Sequence, residues 1–220
     1  MRTLIISPHP DDETLGAGGT ILKHKAMGAE VFWLNITDMD EKFGFLKDKV
    51  DARQKEISIV RAILDFDGFV NFSLKPAGLD QLPRGFLVEM IGECLEEIKP
   101  DTIFIPFHND AHSDHKIVFE SAFSASKIFR RAHIKKIFMM EILSETNFSS
   151  ETGQSFSPNY YVDISEHFDK KIEILKQYKG EIAEHPFPRS EESVRSLAIL
   201  RGSEAGCKYA EAYRAVKIIE

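Results

Sequence analysis

The sequence predicts a single α/β domain: a Rossmann-like, mostly parallel sheet flanked by helices, with an irregular C-terminal third. Three observations carry this. Short β-branched apolar runs alternate with longer helical stretches, as parallel sheets with crossover helices require. A chain of 220 residues with 43% hydrophobic content supplies one sizeable core. Finally, no linker, repeat or low-complexity tract interrupts it, so residues 1–220 read as one domain.

In order, Arg2 to Ser7 is a continuous apolar strand, and a helix follows from about Thr14 to Met27. Glu30 to Thr37 is a second strand, Val50 to Leu64 a helix, and Gly68 to Leu74 a weaker third strand. Phe86 to Ile98 carries apolar residues at helical spacing and is stopped by Pro100; Thr102 to Pro106 is the next strand. His115 to Phe129 reads as a helix and Lys136 to Leu143 as a strand. Beyond these, Thr146 to Pro158 is a polar loop, and Tyr160 to Ile164 a short strand. Ser165 is placed to cap a helix over Glu166 to Tyr178. Gly180 to Ser190 is irregular, and Glu191 to Leu200 is helical.

A net charge of −7 argues against a nucleic-acid or anionic-membrane surface. Neither Cys94 nor Cys207 has a CxxC partner, so both read as buried free thiols. The start is too short for a signal peptide, and no apolar run reaches transmembrane length. The expectation is a cytoplasmic protein with a small-molecule substrate and no stable membrane insertion; self-association into a homo-oligomer is left open.

The chemistry concentrates at two strand ends. The first strand runs into Pro8-His9-Pro10-Asp11-Asp12-Glu13, and the fourth into His108-Asn109-Asp110-Ala111-His112-Ser113-Asp114-His115. In the common order 3-2-1-4-5 these strands are neighbours at the switch point, where open α/β sheets bind ligands. His9 and Asp12 can aim at one point, and His115 can join them, giving two imidazoles and a carboxylate. That set leaves a coordination position open, as catalytic zinc requires. Asp11 is then a proton acceptor beside the metal, and His112 a donor to an oxyanion. Against this stands a plainer reading, in which the acidic residues merely suit a helix N-terminus; finding both segments on the right strands disfavours it.

These two motifs resemble the PIG-L/LmbE-like family of zinc-dependent N-acetyl-sugar deacetylases. So do Gly18-Gly19-Thr20, Arg53 with Glu56, Lys99-Pro100-Asp101 and the tail from Arg201-Gly202 to Tyr213. The resemblance implies one Zn2+ per chain on His9, Asp12 and His115, with Asp11 as general base. It implies that a protonated His112 stabilises the oxyanion, and that Asp114 orients His112. Arg53 would contact the sugar, supported by Glu56. Asp110, two residues before His112, is a further candidate substrate contact. The chain departs from the family pattern at Thr37-Asp38-Met39, where a glycine is usual after Thr-Asp, and at Gln177-Tyr178-Lys179-Gly180 in place of His-x-Ser-Gln.

The function implied is hydrolysis of acetyl from an N-acetylglucosamine-like sugar or sugar conjugate. Alternatives are a zinc amidase acting on a non-sugar amide, and a non-catalytic sugar- or nucleotide-binding module. Gly16-Ala17-Gly18-Gly19 comes too late after the first strand to be a dinucleotide loop. Iron or cobalt would suit the same ligands as zinc. Of the remaining histidines, His24 reads as solvent-facing, His108 as a loop residue, and His133 and His167 as ordinary surface positions. The stretch His185 to Arg189 could reach the pocket rim, and Tyr160 and Tyr161 could offer hydroxyls.

Overall fold

The computed structural model describes residues 1–149 and 155–220. The elements are β1 (Arg2–Ser7), α1 (Asp12–Ala26), β2 (Glu30–Thr37), α2 (Lys47–Leu64), β3 (Gly68–Leu74), α3 (Arg84–Ile98) and β4 (Thr102–Ile105). They continue with α4 (Ser113–Ala125), β5 (Lys136–Met140), β6 (Tyr160–Asp163), α5 (Phe168–Leu175), α6 (Glu191–Ala205) and β7 (Ala210–Ile218). One seven-stranded sheet runs β3-β2-β1-β4-β5-β7-β6. Its first five strands are parallel, while β7 runs antiparallel to both β5 and β6. The single α/β domain with a mostly parallel sheet is therefore as expected, including β1 beside β4.

Alternation along the strands divides the core between two faces. Ile5, Val31 and Phe104 pack with α1, α2, α5 and α6. Leu4, Ile6, Leu34 and Ile103 face α3 and α4. Central β1 is buried on both faces from Thr3 to Ser7, which is why it reads as an unbroken apolar run.

Helix α1 lies so close to the sheet end that a Cβ on Gly19 would sit 2.7 Å from Ile164. The late glycine run therefore serves packing. A carboxylate from β7 completes the joint. Glu211 accepts from the Gly19 and Thr20 amides at 2.8 Å, while the Lys171 ammonium reaches the Leu15 carbonyl at 2.8 Å and Glu211 at 2.7 Å. All these groups are buried and satisfied, as a buried ion pair must be.

Several boundaries differ from expectation. Helix α4 stops at Ala125, before Phe129, because the Arg131 guanidinium takes the Ala125 and Gly92 carbonyls. Strand β5 ends at Met140 because the Ile142 amide bonds the Thr146 hydroxyl. Ser165 caps no helix: its hydroxyl donates to Asp163, and α5 starts later, after His167. The tail expected only as a motif is the nine-residue strand β7. Part of the polar loop expected over Thr146 to Pro158, residues 150–154, lies outside the described residues. Cys94 is a buried free thiol, but Cys207 is only half-buried and follows α6. His24 is half-buried, not solvent-facing; its Nδ1 meets the Thr3 hydroxyl at 3.1 Å, and burial lowers its pKa to about 4. No helix among the described residues is long and apolar enough to cross a membrane.

Candidate metal centre and pocket

The turn from β1 into α1 places Asp11 at φ 136°, a conformation that L side chains rarely adopt. Two contacts hold this turn. Arg53 Nη1 donates to the Pro10 carbonyl at 2.8 Å, and the Asp11 amide donates to Glu13 Oε2 at 2.9 Å. Glu13 is fully buried, and its other oxygen accepts from the Thr14 and Tyr178 hydroxyls.

Burial, only partly offset by those donors, lifts the Glu13 pKa from 4.5 to about 7. A carboxyl raised on folding binds its proton more tightly in the native state. Its contribution to stability therefore falls as pH rises from 4.5 through about 7. Glu13→Gln should remove that fall: in chelator-treated protein, its Tm relative to wild type should climb across the window and level off above it. Parallel Tm–pH curves for the two proteins would contradict this.

His9, Asp12 and His115 each bring a ligand atom to within 4.8 Å of one another. Both imidazoles are held from behind by carboxylates. His115 Nδ1 meets Asp110 Oδ2 at 2.8 Å, which leaves Nε2 as its lone-pair nitrogen. His9 Nε2 lies 3.2 Å from Asp114 Oδ2, and its Nδ1 lies 3.3 Å from Asp12 Oδ2. His115 Nε2 is 3.2 Å from Asp12 Oδ2 but not aligned for a hydrogen bond; it and Asp12 Oδ1 are buried without a hydrogen-bond partner. Two buried ligand atoms without hydrogen-bond partners in one cluster are costly alone and natural for a cation. The donor set of two imidazoles and a carboxylate fits one.

The electrostatics agree. Burial opposes charging His115, yet the Asp12 charge, the bond to Asp110 and the Asp110 charge lift it to about 10. Burial likewise opposes His9, but hydrogen bonds to Asp114 and Asp12 raise it to about 9. Carboxylates crowded around these rings call for positive charge at this point.

Above this cluster lies a cavity of about 250 Å³ whose lining includes His9, Asp11, His112, Asp38, Arg53 and Arg189. Small-molecule sites usually span roughly 300 to 1,000 Å³, so this one suits a small ligand. Asp11 is buried, and its pKa is held well above the usual carboxylate range by that burial and the Asp12 charge. His112 is the N-cap of α4: its Nδ1 accepts from the Asp114 amide at 3.0 Å. Burial and the neighbouring His9 lower its pKa. With Nδ1 accepting, the ring offers Nε2–H as its donor.

Other expectations need correction. Asp114 does not orient His112 through its carboxylate, whose partners are His9 and the amides of Ala77 and Leu79; only its backbone amide holds His112. Asp110 is fully buried behind His115 and shared with the Thr146 hydroxyl, so it does not reach the pocket. Arg53 lines the pocket, but its guanidinium is spent on Pro10, Glu181 and Glu56. That makes it a strut of the turn rather than a free sugar contact. Glu56 supports it and also accepts from the Lys179 amide at 3.2 Å.

Tyr161 bonds Glu204, and Tyr160 stacks on Phe138 at 4.4 Å, so neither serves the pocket. His108 packs against Phe107 and Phe119. His133 and His167 are half-buried, and His185 is exposed. The stretch from His185 reaches the site through Arg189, which bonds Asp11, Glu181 and the Ser144 hydroxyl. Glu145 and Glu181 are pocket residues that residue-type reasoning missed; Arg189 was reached only through the position of its proline-rich irregular loop.

Residues 4–126 match the family model described as PIG-L, GlcNAc-PI de-N-acetylase. The chain is 25% identical to the diacetylchitobiose deacetylase of Thermococcus kodakarensis, covering 98% of this chain and 83% of that protein. It is 24% identical to the probable N-acetyl-alpha-D-glucosaminyl L-malate deacetylase 2 of Bacillus anthracis, over 83% of this chain and 82% of the relative. In structure it is similar to the 4-carboxy-2-hydroxymuconate hydratase of Pseudomonas putida KT2440, with a TM-score of 0.77 at 19% identity, covering 100% of this chain and 99% of that one. A fold shared with a hydratase does not name a reaction; the site must do so.

Proposed function

The chain belongs to the PIG-L family, and from that premise we propose that it is a metal-dependent deacetylase of a small N-acetylglucosamine-like sugar. The observation that carries this reading is the pair of orphaned ligand atoms, Asp12 Oδ1 and His115 Nε2, beside a pocket lined by Asp11 and His112. The related deacetylases of N-acetylated sugars support the substrate class.

His9, Asp12 and His115 would hold one divalent cation, with zinc the natural occupant of such a set. Bound there, it supplies Lewis acidity to water and to the amide carbonyl. The residues do the rest. Asp11 accepts the proton of the attacking water and, with its proton affinity raised by burial, hands it to the amine nitrogen as the C–N bond breaks. His112 Nε2–H donates to the oxygen that becomes negative. Asp110 and Asp114 hold the two liganding imidazoles in register. Arg53 and Glu13 keep the turn that presents Asp11. Both cysteines are free, which suits a reducing compartment such as the cytoplasm.

Release of acetate from N,N'-diacetylchitobiose and from N-acetylglucosamine tests the reading. Turnover should vanish with chelator and return with zinc. Acetate release unaffected by thorough chelation would refute the metal-dependent mechanism.

A further inference from the structure

Resting on the deacetylase reading, we infer that the pocket selects uncharged or ammonium-bearing glycosides and rejects those carrying a phosphate or carboxylate.

The argument is one of charge and of spent donors. Apart from the metal-site residue His9, the lining contains two guanidiniums, Arg53 and Arg189, against four carboxylates, Asp11, Asp38, Glu145 and Glu181, for a net charge of −2. No lysine lines the pocket among the described residues. Neither arginine is free to grip an anion. Arg53 gives Nη1 to the Pro10 carbonyl and Nη2 to Glu181, and its Nε lies 3.4 Å from Glu56. Arg189 gives Nη1 to Asp11 and Glu181 and Nε to Ser144, with Nη2 3.5 Å from Glu145. A bidentate clasp on phosphate or carboxylate needs two unengaged N–H groups on one edge of the fork; Arg189 has none, with Nε and both Nη1 hydrogens taken, and every nitrogen of Arg53 already faces an acceptor of its own chain.

A bound cation does not reverse the balance. Asp12, Asp110 and Asp114 contribute three negative charges around the imidazoles, so a divalent ion leaves that cluster at −1. Asp38 adds an outward bias of its own: its carboxylate is held by neutral donors, Gln54, Asn71 and the Met39 amide, and among the described residues no cation pairs with it. A sugar hydroxyl or an ammonium finds acceptors on this wall, whereas an anionic substituent finds like charge.

Three glycosides of one ring isolate the effect: methyl N-acetylglucosaminide, its 2-aminoethyl counterpart, and N-acetylglucosamine 1-phosphate. With the zinc-loaded enzyme, kcat/KM for the two former should exceed that for the phosphate by about tenfold or more. The gap should narrow as salt rises from about 0.01 M to about 1 M, where the screening length shrinks from about 30 to 3 Å. Calorimetric titration into chelator-treated protein should rank the Kd values in the same order. Equal or faster hydrolysis of the phosphate, or its tighter binding at low salt, would overturn the inference while leaving the deacetylase reading intact. No acetate from any glycoside, with the binding order preserved, would instead contradict the deacetylase reading and uphold the charge preference.

Discussion

Asp11→Asn should cost about 100- to 10,000-fold in kcat, the range of a lost general base, while zinc content stays at the wild-type level. The substitution is chosen for the backbone. Asp11 sits at φ 136°, and Asn is among the few residues enriched at positive φ. The amide–Glu13 bond that holds the turn is a backbone contact and survives the change. What is lost is the capacity to take a proton, together with the charge opposite Arg189. Saturation kinetics beside elemental analysis separate the two effects. Near-normal turnover with zinc retained would exclude Asp11 as the base. Reduced turnover with zinc also lost would mean that Asp11 acts on the metal set instead.

His115→Ala should abolish bound metal and, with it, at least about 100-fold of the activity. His115 is fully buried, and Asp12 and Asp110 both lean on it. Its removal strands two buried carboxylates, so lower thermal stability should accompany the loss. A milder partner variant keeps the test sound if the alanine form folds poorly. Asp110→Asn retains an acceptor for His115 Nδ1 but weakens its hold, and should lower metal affinity about 10- to 100-fold, the usual effect of disturbing a ligand's support. Metal titration followed by circular dichroism and kinetics checks both. Undiminished zinc affinity in His115→Ala would remove His115 from the ligand set.

Much of the fold was legible because central strands buried on both faces read as apolar runs, as in Leu4 to Ile6 and Ile103 to Ile105. The helices between them carried apolar spacing and clear stops, such as Pro100. Strand β7 was not legible. Its buried half, Ala210 to Tyr213, contains Glu211, a residue that argues against a core strand until Lys171 and the two α1 amides are seen around it. In the site, residue types and strand order brought His9, Asp11, Asp12, His112 and His115 together. Directions were hidden. Spacing could not tell that Asp110 turns back behind His115, or that Asp114 faces His9 while its amide caps onto His112. Nor could it place Arg189, whose contact with Asp11 spans 178 residues and depends on how an irregular loop folds back.

Two overlapping sets of side chains could hold an ion here: His9 with Asp12 and His115, or His9 with His112 and Asp114. The orphaned atoms favour the first, because His112 Nδ1 and the Asp114 carboxylate already have hydrogen-bond partners. Anomalous diffraction at the zinc edge from crystals of the zinc-loaded protein distinguishes them directly. A single peak within bonding distance of His9, Asp12 and His115, with Asp11 and His112 beside it but unbound, is the expected result. A peak bound by His112 and Asp114, or no ordered peak at full zinc loading, would contradict the assignment of the metal and with it the roles given to Asp11 and His112.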